Sequence, residues 1–220
     1  MLDKAEETMC RLLAVKSEKA FSISEHLRPF AVTAKRSREY QGHGWGCVYL
    51  SGGTWRVYRN IQPIWEDDLS QFGETTLLVA HARSAFRDEG ICVENNMPFL
   101  QGDIVFSFNG ELHGVRIREE GCIGAEKLFR FILRFHKEGL SGAVRKAIPI
   151  VEKRTRSIRA MNMIVADPHQ VVVSTLFTDD PDYFTLHRCE TSGIVIVASD
   201  PYPDESGWTS IPNRTQEVIV

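Results

Sequence analysis

The residue with the most chemistry in this sequence is Cys10, and the reason is its position. Taken alone it opens the apolar run Arg11-Leu-Leu-Ala-Val15 and reads as an ordinary packed thiol. Its nearness to the N-terminus adds a second reading. In a chain beginning at Cys10, one residue would carry both a thiol and a free α-amine, and an α-amine of pKa about 8 suits a general base near neutral pH. An N-terminal amine that activates its own side chain is an established route to covalent catalysis. This reading makes residues 1–9 an extension or propeptide and residues 10–220 a single domain.

Other side chains could complete such a site. His81-Ala-Arg83 closes the apolar run 77–80, which puts a guanidinium at a strand end, where its fork would fit a substrate carboxylate. The plainer alternative is a surface arginine paired with Asp88 or Glu89. Asn109-Gly110 follows the apolar run 104–108. It reads either as a hairpin turn or as two neutral donors, a side-chain amide and a backbone N–H, converging on a developing oxyanion. The stretch 41–46 carries Gly42, Gly44 and Gly46, but a strand-like segment follows rather than a helix, so it is no dinucleotide loop. Its glycines suit close backbone approach. The seven histidines lack ligand spacing, so neither a metal nor a cofactor is expected, although His43 or His81 as base to Cys10 stays open.

Positioning these groups falls mainly to short strands. Residues 10–15, 46–50, 54–59, 76–81 and 104–108 are apolar or alternating runs bounded by turn residues. Helical spacing takes over in 125–136 and 140–153, and strand character returns at 163–166, 170–176, 184–189, 193–198 and 217–220. An early helix is expected over 19–27, ending near Arg28-Pro29. Strands, then helices, then strands within 220 residues suggest one α+β domain of stacked antiparallel sheets with helices outside. The residues 200–207 form the strongest loop signal.

Composition narrows the function classes. A net charge of −3 leaves no electrostatic footprint for nucleic acid or anionic lipid, and the basic run 144–159 reads as a solvated helix face. Five cysteines at irregular spacing, without a Cys-x-x-Cys pair, read as reduced thiols. With no membrane-length apolar run and no secretory core in the first nine residues, a cytoplasmic protein is expected.

Several words of this sequence occur in a telling order: Met9-Cys-Arg-Leu-Leu13, His43-Gly-Trp-Gly46, Ala80-His-Ala-Arg83, Asn95-Asn-Met-Pro-Phe99, Phe108-Asn-Gly-Glu-Leu112 and Val197-Ala-Ser-Asp-Pro201, followed by Trp208 and Pro212. From Met9 to the C-terminus this series resembles the class II, N-terminal-nucleophile glutamine amidotransferases, particularly their compact stand-alone branch. The resemblance implies a four-layer αββα sandwich of two antiparallel sheets and hydrolysis of a glutamine side-chain amide. It implies Cys10 as nucleophile, Asn109 and the Gly110 N–H as oxyanion donors, and Arg83 as clamp for the substrate α-carboxylate, with His81 and Gly44 beside the substrate.

Gly124, in Ile123-Gly-Ala-Glu126, stands where that family carries an aspartate for the substrate α-amino group. Either Glu126 substitutes, or the substrate's amine is modified or differently placed. The expected substrate is therefore a small molecule, glutamine or a γ-glutamyl amide, and released ammonia would leave or pass to a protein partner that uses it. The rival expectation is a catalytically silent binding or regulatory protein that keeps the fold. Oligomeric state is not legible.

Overall fold

The structure is a computed structural model that describes residues 9–85 and 89–220. Four layers follow from the alternation of side chains along the strands. The first sheet contains β1 (Arg11–Ser22), β2 (Trp45–Ser51), β3 (Thr54–Asn60), β4 (Glu74–Ala82), β9 (His187–Thr191), β10 (Ile194–Ala198) and β11 (Thr209–Ser210), in the order β11-β9-β10-β1-β4-β2-β3. The second contains β5 (Phe99–Gln101), β6 (Ile104–His113), β7 (Ser157–Ala166), β8 (Val171–Ser174) and β12 (Gln216–Ile219), in the order β12-β8-β7-β6-β5. Every pairing between these strands is antiparallel. This is the α+β sandwich of two antiparallel sheets that the sequence leads one to expect.

Three apolar cores separate the layers. Leu13, Val15, Leu78 and Ala80 face α1 (Ile23–Arg36), whose buried stripe is Ile23, Leu27, Phe30, Ala31 and Ala34. Their neighbours on the same strands, Leu12, Ala14, Leu77 and Val79, point the other way and meet Val105, Ile164, Val171 and Val173 of the second sheet. On the outer side of that sheet, Phe106, Phe108 and Met163 pack against Leu128, Phe129 and Ile132 of α2 (Gly124–Leu133) and Val144 and Val151 of α3 (Gly139–Lys153). The period of two in a strand therefore places Cys10, in phase with Leu12, between the sheets, and Asn109, in phase with Val105, between them as well.

The structure departs from the sequence reading in three places. Residues 19–22 continue β1, and α1 begins only at Ile23 and runs through Pro29 to Arg36. Its buried face packed on the first sheet outweighs the one backbone hydrogen bond that proline removes. Asn109-Gly110 is not a turn but lies inside β6, where Asn109 pairs with Asn162 of β7. Residues 181–184 form a single helical turn, α4 (Pro181–Phe184), before β9 starts at His187. The basic run behaves as expected in that Arg145, Lys146, Lys153, Arg154 and Arg156 are exposed. Arg159, by contrast, turns to Glu111, Asp179 and Asp180.

No described helix is long and apolar enough to cross a membrane. All five cysteines are free thiols.

Candidate active site

The site forms where the start of β1, the end of β4 and the middle of β6 converge between the sheets. Cys10 directly precedes β1, and the Cys10 amide N donates to Asn109 Oδ1 at 2.9 Å. That contact turns the other half of the same amide, Nδ2, into a buried donor with no hydrogen-bond partner among the described residues. Leaving a buried donor unpaired costs about 1–3 kcal/mol, so the arrangement is held by its surroundings and favours any acceptor that arrives there. Asn162, opposite Asn109, fixes the neighbouring wall. Its Nδ2 donates to the Phe184 carbonyl at 2.7 Å and its Oδ1 accepts from Leu176 N at 3.1 Å, tying α4 to the second sheet.

The Cys10 thiol points towards the Ser84 carbonyl, 3.6 Å away. Burial pushes the thiol pKa up, while the positive charges of Arg83 and Arg11 pull it back. A resting thiolate is thus disfavoured, and a nucleophilic role for this thiol would require a base to take its proton at the moment of attack. His81 does not suit that role. It is fully buried, and burial together with Arg83 pushes its pKa down to about 3, so the ring is neutral and a weak base at any ordinary pH. His43 has its Nδ1 occupied as acceptor for Ala85 N at 2.8 Å. His81 is therefore no base for Cys10, and the Nδ1 of His43 is already committed to Ala85 N.

Arg83 emerges just beyond β4, as its sequence position suggests. Its Nη1 donates to the Gly90 carbonyl at 2.9 Å and approaches Asn96 Oδ1 at 3.4 Å. Of the two acidic neighbours that sequence offered it, Asp88 lies outside the described residues, and Arg83 forms no ion pair with Glu89. The backbone is clamped from the glycine stretch: Arg83 N donates to Gly44 O at 2.9 Å, and His43 N donates to Arg83 O at 3.1 Å. Gly44 holds φ at +107°, and a Cβ there would sit 2.7 Å from Asn60 O and against the Asn96 amide. The glycine is therefore required on two counts, conformation and space. Gly44→Ala is expected to push Asn96 and Arg83 out of place and to raise KM at least about tenfold with a smaller change in kcat, measured by steady-state kinetics.

Gly110 meets the same kind of constraint, since a Cβ would collide with the Ala160 carbonyl of the paired strand. Glu126 is placed differently. Its carboxylate accepts from Cys122 N at 2.8 Å and pairs with Arg130 at 2.8 Å, and these contacts hold its pKa below the usual carboxylate value. It lines a cavity of about 500 Å³ with Arg59, Glu94, Asn95 and Phe99. That cavity borders the Arg83 region through Asn95, whose Nδ2 shares the Gly90 carbonyl with Arg83. Cys10, Arg83, Asn109, Gly110, His81 and Gly44 are thus drawn into one neighbourhood, and Glu126 stands on its flank, committed to Cys122 N and Arg130.

Two residues of this neighbourhood escape sequence reasoning. Gln41 Nε2 and Tyr183 Oη both donate to the Met9 carbonyl, at 2.6 and 2.8 Å. Tyr183 is 174 positions from Met9, in a single helical turn with no periodic signal, so only the folded topology reveals it. Among the described residues no cluster of three or more His, Cys, Asp or Glu is arranged to hold a metal ion.

Comparison with known proteins agrees with this fold. A family profile described as class-II glutamine amidotransferases matches residues 9–132. The γ-glutamyl-hercynylcysteine sulfoxide hydrolase of Mycobacterium tuberculosis (strain CDC 1551 / Oshkosh) is 24% identical over 179 residues, covering 78% of this chain and 72% of that protein. Among solved structures, a glutamine aminotransferase class-II domain protein from Silicibacter pomeroyi superimposes with a TM-score of 0.68 at 16% identity, covering 96% of this chain and 94% of the other. The glutamine phosphoribosylpyrophosphate amidotransferase of B. subtilis gives a TM-score of 0.63 at 16% identity, covering 86% of this chain, which spans 42% of that protein's length. At these identities the two structures speak for the fold.

Proposed function

The chain belongs to the class-II glutamine amidotransferases, and on that premise we propose that it hydrolyses a glutamine or γ-glutamyl side-chain amide with Cys10 as an N-terminal nucleophile. The observation that carries this reading is the contact of the Cys10 nitrogen with Asn109 Oδ1, which orients that nitrogen and leaves Asn109 Nδ2 without a hydrogen-bond partner among the described residues. In the working enzyme residues 1–9 are gone and Cys10 N is the α-amine.

The steps follow from the positions of the groups. The amine takes the Cys10 proton, and Sγ adds to the amide carbon. Asn109 Nδ2 and the Gly110 N–H receive the charge that develops on the carbonyl oxygen. The ammonium returns its proton to the leaving nitrogen, the C–N bond breaks, and ammonia or an amine departs from a γ-glutamyl thioester. Water, deprotonated by the same amine, then releases the acid and restores the thiol. Arg83 holds the substrate α-carboxylate, with Gly44 keeping its backbone in place and His81, neutral, filling the floor between the sheets.

The substrate's other charge sets the choice between glutamine and a substituted amide. Gly124 supplies no carboxylate, and Glu126 already has Cys122 N and Arg130 as partners. A substrate whose specificity rests on its amide substituent fits this better than free glutamine, in keeping with the γ-glutamyl substrate in the name of the Mycobacterium tuberculosis relative. Among the described residues, nothing beyond its own chain neighbours and helix backbone lies within 4 Å of a Cβ built on Gly124. Gly124→Asp therefore folds without collision and is expected to raise kcat/KM for glutamine about 10- to 100-fold, the value of one charge-assisted hydrogen bond. Ammonia release from glutamine by the two chains, each verified to begin at Cys10, decides it. Unchanged turnover would show that the substrate amine does not approach Gly124.

A further inference from the structure

The position of Met9 points to a second half of the binding site. Met9 is buried, and its side chain sits among Ala160, Phe177, Tyr183 and Phe184. Its carbonyl oxygen receives two hydrogen bonds, from Gln41 Nε2 at 2.6 Å and Tyr183 Oη at 2.8 Å. Gln41 is fully buried, and its Oε1 has no partner among the described residues. Tyr183 is held rigidly, with the Arg11 guanidinium 3.9 Å from its ring centroid and Arg38 at 4.8 Å. An apolar socket with two convergent donors and a spare acceptor is a built site for an amino-acid residue.

This socket lies directly against the Cys10 nitrogen, since Met9 immediately precedes Cys10. The thiol faces Ser84 and the Arg83 strand end, whereas Met9 is bonded to the Cys10 nitrogen itself. Resting on the reading that the freed Cys10 amine returns a proton to the leaving nitrogen, the leaving group must stand beside that amine, in the space Met9 occupies before its removal. We propose that the socket vacated by Met9 binds the amine half of the substrate, and that this half is an apolar α-amino acid of about methionine size. Its side chain replaces that of Met9 against Phe177 and Phe184, and its carboxylate takes the place of the Met9 carbonyl between Gln41 and Tyr183. A cavity of about 430 Å³, lined by Arg11, Ser37, Arg38 and Tyr183, borders the far side of Tyr183. The preferred substrate class is thus a γ-glutamyl amino acid, with ammonia-releasing glutamine as the poorer member.

The test uses the chain verified to begin at Cys10, with glutamine, γ-glutamyl-glycine and γ-glutamyl-methionine as probes. Expected is a kcat/KM for γ-glutamyl-methionine at least about tenfold above that for γ-glutamyl-glycine and for glutamine, the scale on which apolar pockets discriminate. Tyr183→Phe, which removes only the hydroxyl, is expected to reduce the preference for γ-glutamyl-methionine over glutamine about tenfold. Equal use of the three amides by the unaltered chain, or an equal loss on all of them in Tyr183→Phe, would overturn the socket while leaving the hydrolase standing. Failure to hydrolyse any amide, together with no covalent labelling of Cys10, would remove the hydrolase reading itself.

Discussion

A chain that begins at Cys10 is expected to hydrolyse its amide substrate, whereas the same chain with Met9 still attached is expected to be about 100- to 10,000-fold slower, the usual contribution of a positioned general base. The physical reason is the state of one nitrogen. With Met9 in place it is an amide that donates to Asn109 and has no lone pair for a proton. Free, it is an amine of ordinary pKa about 8, held at the thiol by the same asparagine. Among the described residues, His81 is no substitute. Burial and the Arg83 charge keep His81 deprotonated down to about pH 3, and burial holds the Cys10 pKa above its usual value. Activity should therefore fall as the pH drops through the amine pKa, because the protonated amine cannot accept the thiol proton. Cys10→Ala in the chain lacking residues 1–9 should abolish turnover at every pH. A pH profile of kcat/KM beside intact-mass verification of both termini checks all three points.

The second large effect belongs to Asn109. Asn109→Asp keeps an acceptor for the Cys10 nitrogen and deletes the Nδ2 donor, and it is expected to lower kcat about 100- to 1000-fold, the measured scale for losing one oxyanion donor. The added carboxylate should also stabilise the α-ammonium and move the pH profile upward. Asn109→Leu, which removes both partners at nearly constant volume, should lose as much rate, and it abolishes the anchor of the amine. Single-turnover measurements of acylation distinguish this from a binding defect, since KM should change far less than kcat. A loss confined to KM would place Asn109 in substrate binding instead.

How much of this was legible from the residues varies with the physics behind each feature. The strands were readable because burial on both faces writes itself as an unbroken apolar run, as in β1, where Leu12 and Leu13 serve different cores. The reach of α1 through Pro29 was not, because a local rule about proline was overridden by packing on the first sheet. Asn109-Gly110 carried a turn signal and lies in mid-strand, where the glycine is demanded by the Ala160 carbonyl rather than by a turn. The places of Arg83 and Cys10 at strand ends were legible in the sequence. Gln41 and Tyr183 were not, since nothing local marks a residue whose function depends on what the fold brings to it. Glu126 was expected at the substrate amine, and its carboxylate accepts from Cys122 N and pairs with Arg130, partners visible only in the fold.

The most direct test of the central claim is covalent labelling of Cys10 by an electrophilic analogue of glutamine, read by intact mass and peptide mapping on two preparations, one verified to begin at Cys10 and one to retain Met9. The account predicts stoichiometric modification of Cys10 in the first, with parallel loss of amide hydrolysis, and little in the second. Equal labelling and turnover in the chain that retains Met9, or none in the chain that begins at Cys10, would contradict it.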